Sequence, residues 1–401
     1  MKPGSANPEF ELLLTIARSA DRPDACRQLI LEHQINWDYL FHLAEFHRML
    51  PLLYLALKEI ERAAVPEDFQ HRLKAYNFDN TRMNIALLAE KLSLIQTFNQ
   101  NAIQAVPFKG VILSKILYDD YSTRQAGDID ILVKPTDVLS AIDLLEQRGY
   151  SLAKSLTKDQ QLALVQISSE KHHLLVNAHN QLAVEIHWGF THTDIMSKKD
   201  LRLLWSWVEM KTVNALPVHF FRPEPLLLIL CLHGYKHSWD HLFWLWEFST
   251  IVQQVALDWD WIVRHVESFG GINVLIVSLL LAKRTLGTAI PPAINEELLT
   301  NPEAIYLLTR INLKPERFEL QAKKDHPLLD VRTRFKVKRS LFRRVRQVLR
   351  FFFTPNYFDI RVVSLPPAFY FVYFIIRPLR LLSSNINRLF RGSNADNATS
   401  E

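Results

Sequence analysis

The first hundred residues carry a repeated helical pattern of apolar positions. Two sets of positions fall on single helical faces: Leu12, Leu13, Ile16 and Ala17, and then Leu40, Leu43, Ala44 and His47. Pro51 and the stretch 21–23 interrupt the pattern and divide it into separate helices. Pro66-Glu67-Asp68 is typical of the start of a long helix, which we expect to run to about Gln100. The pattern therefore predicts an N-terminal helical region over residues 1–100.

From residue 101 the pattern changes to short apolar runs separated by polar loops. Residues 103–108 form one such run, and Lys109-Gly110 then leads into a helix-like stretch over 111–118. A polar loop over 119–126 precedes a second apolar run, 129–133, which is rich in β-branched residues. We interpret both runs as buried strands.

One helix and two further strands follow. Thr136 is the expected N-cap of a helix through Gln147, and Gly149 is its expected C-terminal stop. We predict strands over 172–177 and 182–188, joined by a turn around His179 and Asn180. These elements predict a small mixed β-sheet core over residues 101–195.

Helical periodicity returns between about residues 200 and 309, with many tryptophans, and predicts a helical domain over 196–330. A basic and aromatic segment over 331–392 contains a further helix candidate at 343–353, and 393–401 has the composition of a disordered tail. The apolar run 368–376 is too short to span a bilayer. The predicted fold class is α+β, a small mixed sheet flanked by N-terminal and C-terminal helical regions.

Cysteine usage and the N-terminus bear on the compartment. Cys26 and Cys231 lie far apart with no metal-type spacing, which fits a reducing cytosol and no disulfide framework. The first residues lack the apolar stretch of a secretory signal. We expect a cytoplasmic protein.

Positive charge is concentrated near the C-terminus. Residues 331–392 hold fourteen Lys and Arg against one acid, Asp359, a net charge of +13, which leaves −8 for the rest of a chain whose total is +5. Affinity for a polyanion is therefore expected in this segment and not in the body of the protein.

Two carboxylates open the second apolar run. Side chains alternate along a strand, so Asp128 and Asp130 point to the same side while Ile129 and Ile131 point into the core. Paired carboxylates at the edge of a sheet suit a hard divalent cation such as Mg²⁺. The alternative is a pair of solvated turn residues, which is how most Asp-x-Asp pairs occur.

A third carboxylate lies on the last predicted strand. Glu185 and His187 share one face there, and Glu185 reaches the aspartate pair if the two strands are neighbours. Three acids can hold two Mg²⁺ ions for a phosphoryl displacement, or the third can deprotonate an attacking hydroxyl. The alternative is a solvated strand residue.

These motifs, in this order, resemble those of a poorly characterised bacterial nucleotidyltransferase family in the DNA polymerase beta-like superfamily. The resemblance rests on Phe108-Lys109-Gly110, Tyr118, Arg124, the run 127–133, Gly149-Tyr150 and the run 184–188. It extends to His233, Lys236, His237, Trp244 and Glu247, and to the stretch 377–382. It covers roughly residues 35 to 385.

The resemblance implies a role for each matching residue. Asp128, Asp130 and Glu185 would be the catalytic set and the ligands of Mg²⁺ or Mn²⁺, with Glu185 as a ligand or a base. The nucleotide-binding set would be Lys109, Gly110, Arg124, Gly127, His187, His233, Lys236 and His237. Within it, the Lys109-Gly110 turn would meet the phosphates and Arg124 would clamp the triphosphate.

One position departs from the superfamily pattern. The usual Gly-Ser pair at the phosphate turn is not present, because Gly110 is followed by Val111, and Ser114 comes a turn later. This departure bears on how the nucleotide binds and on whether the protein is active.

Three histidines, His233, His237 and His241, are spaced four apart and are predicted to lie on one helical face, with Lys236 beside them. They fit a zinc site, packing among Trp239, Trp244 and Trp246, or contact with substrate phosphate in a cleft. The pattern alone leaves these alternatives open.

The run 332–350 interleaves cations with apolar residues, a pattern that suits anionic lipid headgroups or RNA. With the aromatic stretches that follow, it favours peripheral membrane contact through 331–382, at the inner membrane, over nucleic acid. The alternative is a helix packed on the body, where its charge is neutralised.

Taken together, the sequence predicts transfer of a nucleoside monophosphate from an NTP, with ATP the expected donor, and release of pyrophosphate. The acceptor is a small molecule, saccharide, peptide or protein. Two alternatives stay open: an inactive nucleotide-binding scaffold at the membrane surface, and a nucleic-acid-binding protein.

Overall fold

The predicted α+β architecture is confirmed in a computed structural model. It describes residues 7–18, 23–58, 60, 64–110, 120–125, 127–190, 198–269, 271–311 and 341–383. The predicted helix over 111–118, the start of the basic segment and the predicted tail over 393–401 lie outside these residues.

Among the described residues, five helices precede the sheet, as the apolar spacing predicts: α1 Pro8–Arg18, α2 Pro23–Glu32, α3 Trp37–Phe46, α4 Leu50–Leu57 and α5 Glu67–Gln100. The long helix α5 begins directly after Pro66 and ends at Gln100, which confirms both predicted limits. The eight apolar-face positions singled out in α1, α3 and the turn after α3 are all buried.

The central sheet has five strands: β1 Ala105–Pro107, β2 Ile129–Val133, β3 Tyr150–Leu152, β4 His172–Asn177 and β5 Ala183–His187. Their order across the sheet is β1-β2-β5-β4-β3. β2 and β5 run parallel, and the other neighbours are antiparallel. The sheet is therefore mixed, and the two strands that carry the predicted acids lie side by side.

Helix α6 Val138–Gln147 and helix α7 Lys158–Ile167 follow β2 and β3. The predicted N-cap of α6 was wrong by one residue, because Asp137 and not Thr136 occupies that position, without a side-chain cap. Gly149 has φ +82°, a left-handed conformation that glycine adopts at little cost, which confirms the predicted stop.

The prediction of uninterrupted helices from 200 to 309 was wrong over residues 208–221, which form strands. After helix α8 Lys198–Trp205, a β-hairpin is formed by β6 Val208–Val213 and β7 Leu216–Phe221. Asn214 and Ala215, both with positive φ, make its two-residue turn. Val218 and Phe220 pack in the same core as Ile129 and Ile131, so burial and alternation explain the strand.

The remaining helices of this part of the body are α9 Pro223–Lys236, α10 Leu242–Gln254, α11 Trp259–Phe269, α12 Ile272–Leu286, α13 Glu296–Leu299 and α14 Pro302–Thr309. They share one apolar core with the N-terminal helices, since Leu13 and Leu43 belong to the same cluster as Phe243 and Leu275. The domain boundaries given above stay a prediction.

The C-terminal segment comprises helix α15 Leu341–Phe353, helix α16 Tyr357–Ile360, a 3₁₀ helix Pro367–Val372 and helical residues 373–383. Ile360, Tyr370 and Tyr373 pack against Ala163 and Leu164 of α7. In the described part of the chain, we find no helix with the length and apolar character needed to cross a membrane.

Candidate active site

The parallel pairing of β2 with β5 places Asp130 directly beside Glu185. His187 Nε2 is 2.9 Å from Asp130 Oδ1 and 2.9 Å from Glu185 Oε2. Because both oxygens lie at that distance from one nitrogen, they are separated by no more than twice that distance. Asp128 lines the same cavity. The structure therefore brings together the three acids singled out from the sequence.

The three carboxyl groups differ in their electrostatic surroundings. Burial alone would raise the pKa of Asp130, but the Lys109 ammonium and the hydrogen bond from His187 hold it well below its ordinary value. His187 likewise outweighs burial at Glu185 and lowers its pKa. Asp128 is reached by solvent through the cavity. Its enclosure there and the negative charges of Asp130 and Glu185 raise its pKa. Asp128 thus experiences like-charge repulsion.

His172 is a site residue that the sequence analysis did not single out. It pairs across the strands with His187, and the two rings stack with centroids 5.1 Å apart. Burial and the neighbouring His187 lower the pKa of His172 to about 4. Burial also disfavours charge on His187, but its hydrogen bonds to Asp130 and Glu185 raise its pKa. The cross-strand register of β4 and β5 is the signal that could have identified His172.

Lys109 and Gly110 lie at the edge of this acidic group. Lys109 Nζ is 4.0 Å from Asp130 Oδ1 and 3.0 Å from His233 Nδ1. The buried Lys91 donates from Nζ to the Lys109 carbonyl at 3.0 Å. Burial lowers the pKa of Lys91 to about 8 although Asp130 and Asp128 act in the opposite direction. Lys91 had no distinguishing sequence signal on the long helix α5.

Gly110 is required at its position for two reasons. Its φ is +75°, and an added Cβ would come within 2.9 Å of Lys91 Nζ. The turn therefore allows two lysines to approach the acids. Gly127 is different: it is exposed, and a Cβ there would meet nothing within 4 Å. Its binding role stays a prediction.

Arg124 lines the cavity from a loop that α5 holds in place. Asn80 and Asn84 each donate from Nδ2 to the Arg124 carbonyl, at 3.1 and 2.7 Å. The Arg124 guanidinium forms a buried ion pair with Glu247. Arg48, which the sequence analysis missed, lines the same cavity with φ +58°. Burial and the nearby Arg124 lower the pKa of Arg48.

His233, His237 and His241 do not lie on one continuous helix, which corrects the sequence interpretation. Helix α9 ends at Lys236, His237 caps it, and the chain turns through Ser238 and Trp239, both with positive φ. Trp239 folds back onto Gly234, where an added Cβ would lie 2.5 Å from its ring.

The three histidines nevertheless meet around one ring. Their ring centroids lie 4.9, 5.4 and 4.4 Å from that of Trp244. Burial and the Lys109 charge keep the pKa of His233 well below its ordinary value, and burial and Lys109 also lower the pKa of Lys236. Trp239 packs in the core on Phe248. The cleft interpretation of these histidines therefore fits the structure better than packing alone.

The acids and most of the basic groups described above line one cavity of about 400 Å³, within the usual size of a small-molecule pocket. Carboxylates lie on one wall: Asp128, Asp130 and Glu185. Cationic and imidazole groups line the rest: Arg48, Lys109, Arg124, Lys236, His172, His187, His233, His237 and His241. Phe108, Phe190 and Trp244 add aromatic surface. An acidic wall facing basic groups suits a cation together with a polyphosphate.

A family model described as uncharacterised nucleotidyltransferase matches residues 33–287, more than half of the chain. The chain belongs to this family. No curated protein and no solved structure matches it. Every residue that lines the cavity falls inside the range matched to the nucleotidyltransferase family, whereas the C-terminal segment 341–383 lies outside it.

Proposed function

We propose that this nucleotidyltransferase transfers a nucleoside monophosphate from an NTP to an acceptor, with a divalent cation bound by Asp128, Asp130 and Glu185. The observation that carries the proposal is the meeting of three carboxylates in a cavity that Arg48, Lys109, Arg124 and Lys236 also line. The resemblance of the motifs to those of the DNA polymerase beta-like superfamily supports the proposal.

The donor set fits a divalent cation. Carboxylate oxygens are the ligands that Mg²⁺ and Mn²⁺ prefer, and the neighbouring Asp130 and Glu185 are held on adjacent strands. The raised pKa of Asp128, caused by its enclosure and by the other two negative charges, is a repulsion that a cation relieves. When bound, such a cation supplies positive charge to the α-phosphate and to the departing pyrophosphate.

The side chains of the chain itself position the reactants. Lys109 and Arg48 face the phosphates, and the Lys109-Gly110 turn takes the place of the Gly-Ser pair of related enzymes. The oxygen of the acceptor attacks the α-phosphorus, the bond from that phosphorus to the bridging oxygen of the β-phosphate breaks, and pyrophosphate leaves. The proton of the acceptor hydroxyl passes to a carboxylate of the acidic wall.

The test uses ATP labelled at the α- or the γ-phosphate, Mg²⁺, and fractionated cell extract as the source of acceptor. We expect pyrophosphate release and transfer of the α-label, with no transfer of the γ-label, and loss of both signals in Asp128→Asn. The other three NTPs, assayed in the same way, establish the base preference.

Binding of ATP without pyrophosphate release in any fraction would overturn the proposal. That outcome would instead favour the alternative of a nucleotide-binding scaffold. Transfer of the γ-label would also contradict it, because it would indicate phosphoryl and not nucleotidyl transfer.

A further inference from the structure

Two imidazoles and one carboxylate converge at the end of the acidic wall. His172, Glu185 and His187 each offer one ligand atom, and these atoms all lie within 4.8 Å of one another. His187 is nearly buried, whereas His172 and Glu185 keep part of their surface open to the cavity. This group differs from the aspartate pair in offering nitrogen ligands.

We propose that His172, Glu185 and His187 bind a transition-metal ion of the Mn²⁺ class beside the aspartate pair. The inference rests on the proposed function, because it adds a nitrogen-ligated cation to the same cavity. Mg²⁺ prefers oxygen ligands, whereas affinity for a site with imidazole ligands rises along the first-row series from Mn²⁺ through Fe²⁺, and two histidines with one carboxylate are a recurrent Fe²⁺ site.

The spacing of the ligand atoms fits one ion. Atoms bound to one ion at roughly 2.0–2.2 Å lie about 3–4 Å from one another. His187 Nε2 is 2.9 Å from Glu185 Oε2, and His172 Nε2 is 3.9 Å from Glu185 Oε1. Small side-chain rotations therefore bring all three to one centre.

The contacts of His187 also support a bound metal ion. Its Nε2 lies 2.9 Å from both Asp130 Oδ1 and Glu185 Oε2, yet an imidazole nitrogen carries at most one proton. A hydrogen bond therefore satisfies one of these oxygens fully and the other poorly. A shared metal ion uses the nitrogen and the oxygens together.

The backbone fixes the group in place. His172 and His187 are direct cross-strand partners, and Glu185 is two residues from His187 on the same face of β5. Sites on strands hold their ligands more precisely than sites on loops. The arrangement is therefore built into the sheet.

The test measures binding of Mn²⁺ alone and of Mg²⁺ alone to the full chain by calorimetry, with pulsed electron paramagnetic resonance of the Mn²⁺ complex. We expect Mn²⁺ to bind at least about tenfold more tightly than Mg²⁺ and to show coupling to ligand nitrogen. His172→Gln should weaken Mn²⁺ binding by about tenfold or more and reduce the nitrogen coupling, with Mg²⁺ affinity unchanged. His179→Gln, on the exposed turn after β4, is the matched control.

Equal affinity for the two ions, or no nitrogen coupling in the wild-type protein, would overturn the inference without the need for a variant. In that case pyrophosphate release with Mg²⁺ that persists in His172→Gln and is lost in Asp128→Asn would leave the proposed function standing. Nitrogen-coupled Mn²⁺ binding without pyrophosphate release would support this metal site and contradict the proposed function.

A second, independent observation concerns the C-terminal segment 341–383. Fifteen of the twenty-three large apolar side chains that are exposed in the described part of the chain lie here. On α15 they form a stripe at helical spacing: Phe342, Val345, Leu349 and Phe352. A second stripe comprises Phe371, Ile375, Leu379 and Leu382. Exposed apolar surface this concentrated is typical of an interaction site.

The opposite side of the segment is anchored to the body. Tyr370 and Tyr373 pack on α7, and Tyr370 Oη donates to the Asp159 carbonyl at 2.9 Å. An ion pair from Arg344 to Glu303 at 2.8 Å joins α15 to the body. The exposed stripes are therefore presented by a docked surface.

From this surface we infer that the segment binds an anionic lipid bilayer peripherally. Arg346, next to Val345 on α15, and Arg361 are exposed, in a part of the sequence with a net charge of +13. Apolar side chains that enter the headgroup region, with cations that meet anionic lipid, are the recognised basis of interfacial binding.

The test is sedimentation of the full chain with vesicles of phosphatidylcholine alone or mixed with phosphatidylglycerol, and binding to single-stranded RNA. We expect salt-sensitive binding to the anionic vesicles, reduced by about tenfold or more in Phe371→Ser/Leu379→Ser. The matched control, Phe78→Ser/Met210→Ser, removes two apolar side chains that are equally exposed elsewhere. Absence of binding to anionic vesicles would overturn the inference. Binding to RNA that is equally strong in the wild type and the apolar variant, without binding to vesicles, would favour a nucleic-acid partner instead.

Discussion

Two clusters of charged residues in this protein both pair carboxylates with basic side chains, but they have different roles. At the edge of the sheet, Asp130 and Glu185 share His187, with Lys109 nearby, and all of them face a cavity. In the C-terminal segment, the fully buried Asp359 lies between two guanidinium groups. Its Oδ1 accepts from Arg380 Nε at 2.5 Å, and its Oδ2 accepts from Arg377 Nη1 at 3.3 Å and from the Asn356 backbone N–H at 2.8 Å.

The difference lies in how completely each carboxylate is satisfied within the chain. Asp359 accepts hydrogen bonds from two cations and a backbone donor, so its cluster stabilises the segment. At the sheet edge, the repulsion between neighbouring acids shows in the raised pKa of Asp128, caused by enclosure and by Asp130 and Glu185. A cluster that is incomplete on its own and open to a cavity is suited to a ligand.

The largest expected effect separates the two clusters by activity. Asp128→Asn should lower pyrophosphate release by at least about a hundredfold, because it removes a cation ligand. It should leave the Tm unchanged or raise it, since it also removes like-charge repulsion. Assays of pyrophosphate release and of thermal unfolding check both parts. A variant that keeps more than about a tenth of the rate would contradict the assignment of Asp128.

The complementary change should affect stability and not activity. Asp359→Asn leaves Arg377 and Arg380 without their buried counter-charge, and we expect a loss of about 3 kcal/mol in the free energy of opening the segment. Faster amide exchange in residues 357–383 is the measurement, with the exposed Asp24→Asn as control. Unchanged amide exchange together with reduced pyrophosphate release would show that Asp359 serves activity and not stability, contrary to the comparison.

Much of the fold follows from periodicity. The long helix α5 and strands β2 and β4 have the limits that their apolar patterns predict, because each pattern is long or sharply bounded. The hairpin of β6 and β7 was missed because its burial depends on the distant strand β1 and its core, and not on a local signal. Tertiary contacts decide such short strands.

The site was predictable where its residues share a strand. Alternation placed Asp128 and Asp130 on one side of β2 and Glu185 with His187 on one side of β5, and the pairing of the two strands in the folded sheet brings the acids together. Arg48 reaches the cavity from a turn that is distant in sequence, and Lys91 contacts the Lys109 carbonyl from α5. No spacing rule connects either residue to the acids. His172 required the strand register, which only the folded sheet supplies.

The pH dependence of stability tests a third kind of buried group, His47, which has no acidic partner among the groups that shift its pKa. Burial, with the neighbouring His241, lowers the pKa of His47 to about 3, so the folded protein leaves it neutral while the unfolded chain takes up a proton below about pH 6.5. Stability contributed by His47 is therefore lost as the pH falls from about 6.5 to 3, by about 1.4 kcal/mol per pH unit.

His47→Asn keeps an acceptor for the Leu242 N–H, which lies 3.3 Å from His47 Nδ1, but cannot titrate. Denaturant unfolding at pH 7 and pH 5.5 should show a smaller loss of stability in this variant than in the wild type. The exposed His33→Asn should behave like the wild type. Equal pH dependence in all three proteins would show that His47 does not control acid stability.

The smallest expected effect concerns the ion pair between Arg344 and Glu303, which joins the C-terminal segment to the body at 2.8 Å. Both side chains keep contact with water, so desolvation and side-chain entropy offset most of their attraction. A double-mutant cycle with Arg344→Gln and Glu303→Gln should give a coupling energy below about 1 kcal/mol, reduced further by salt. A coupling as large as that expected for Asp359 would mean that partly exposed charge also anchors the segment. Burial would then not explain why the Asp359 cluster stabilises the fold.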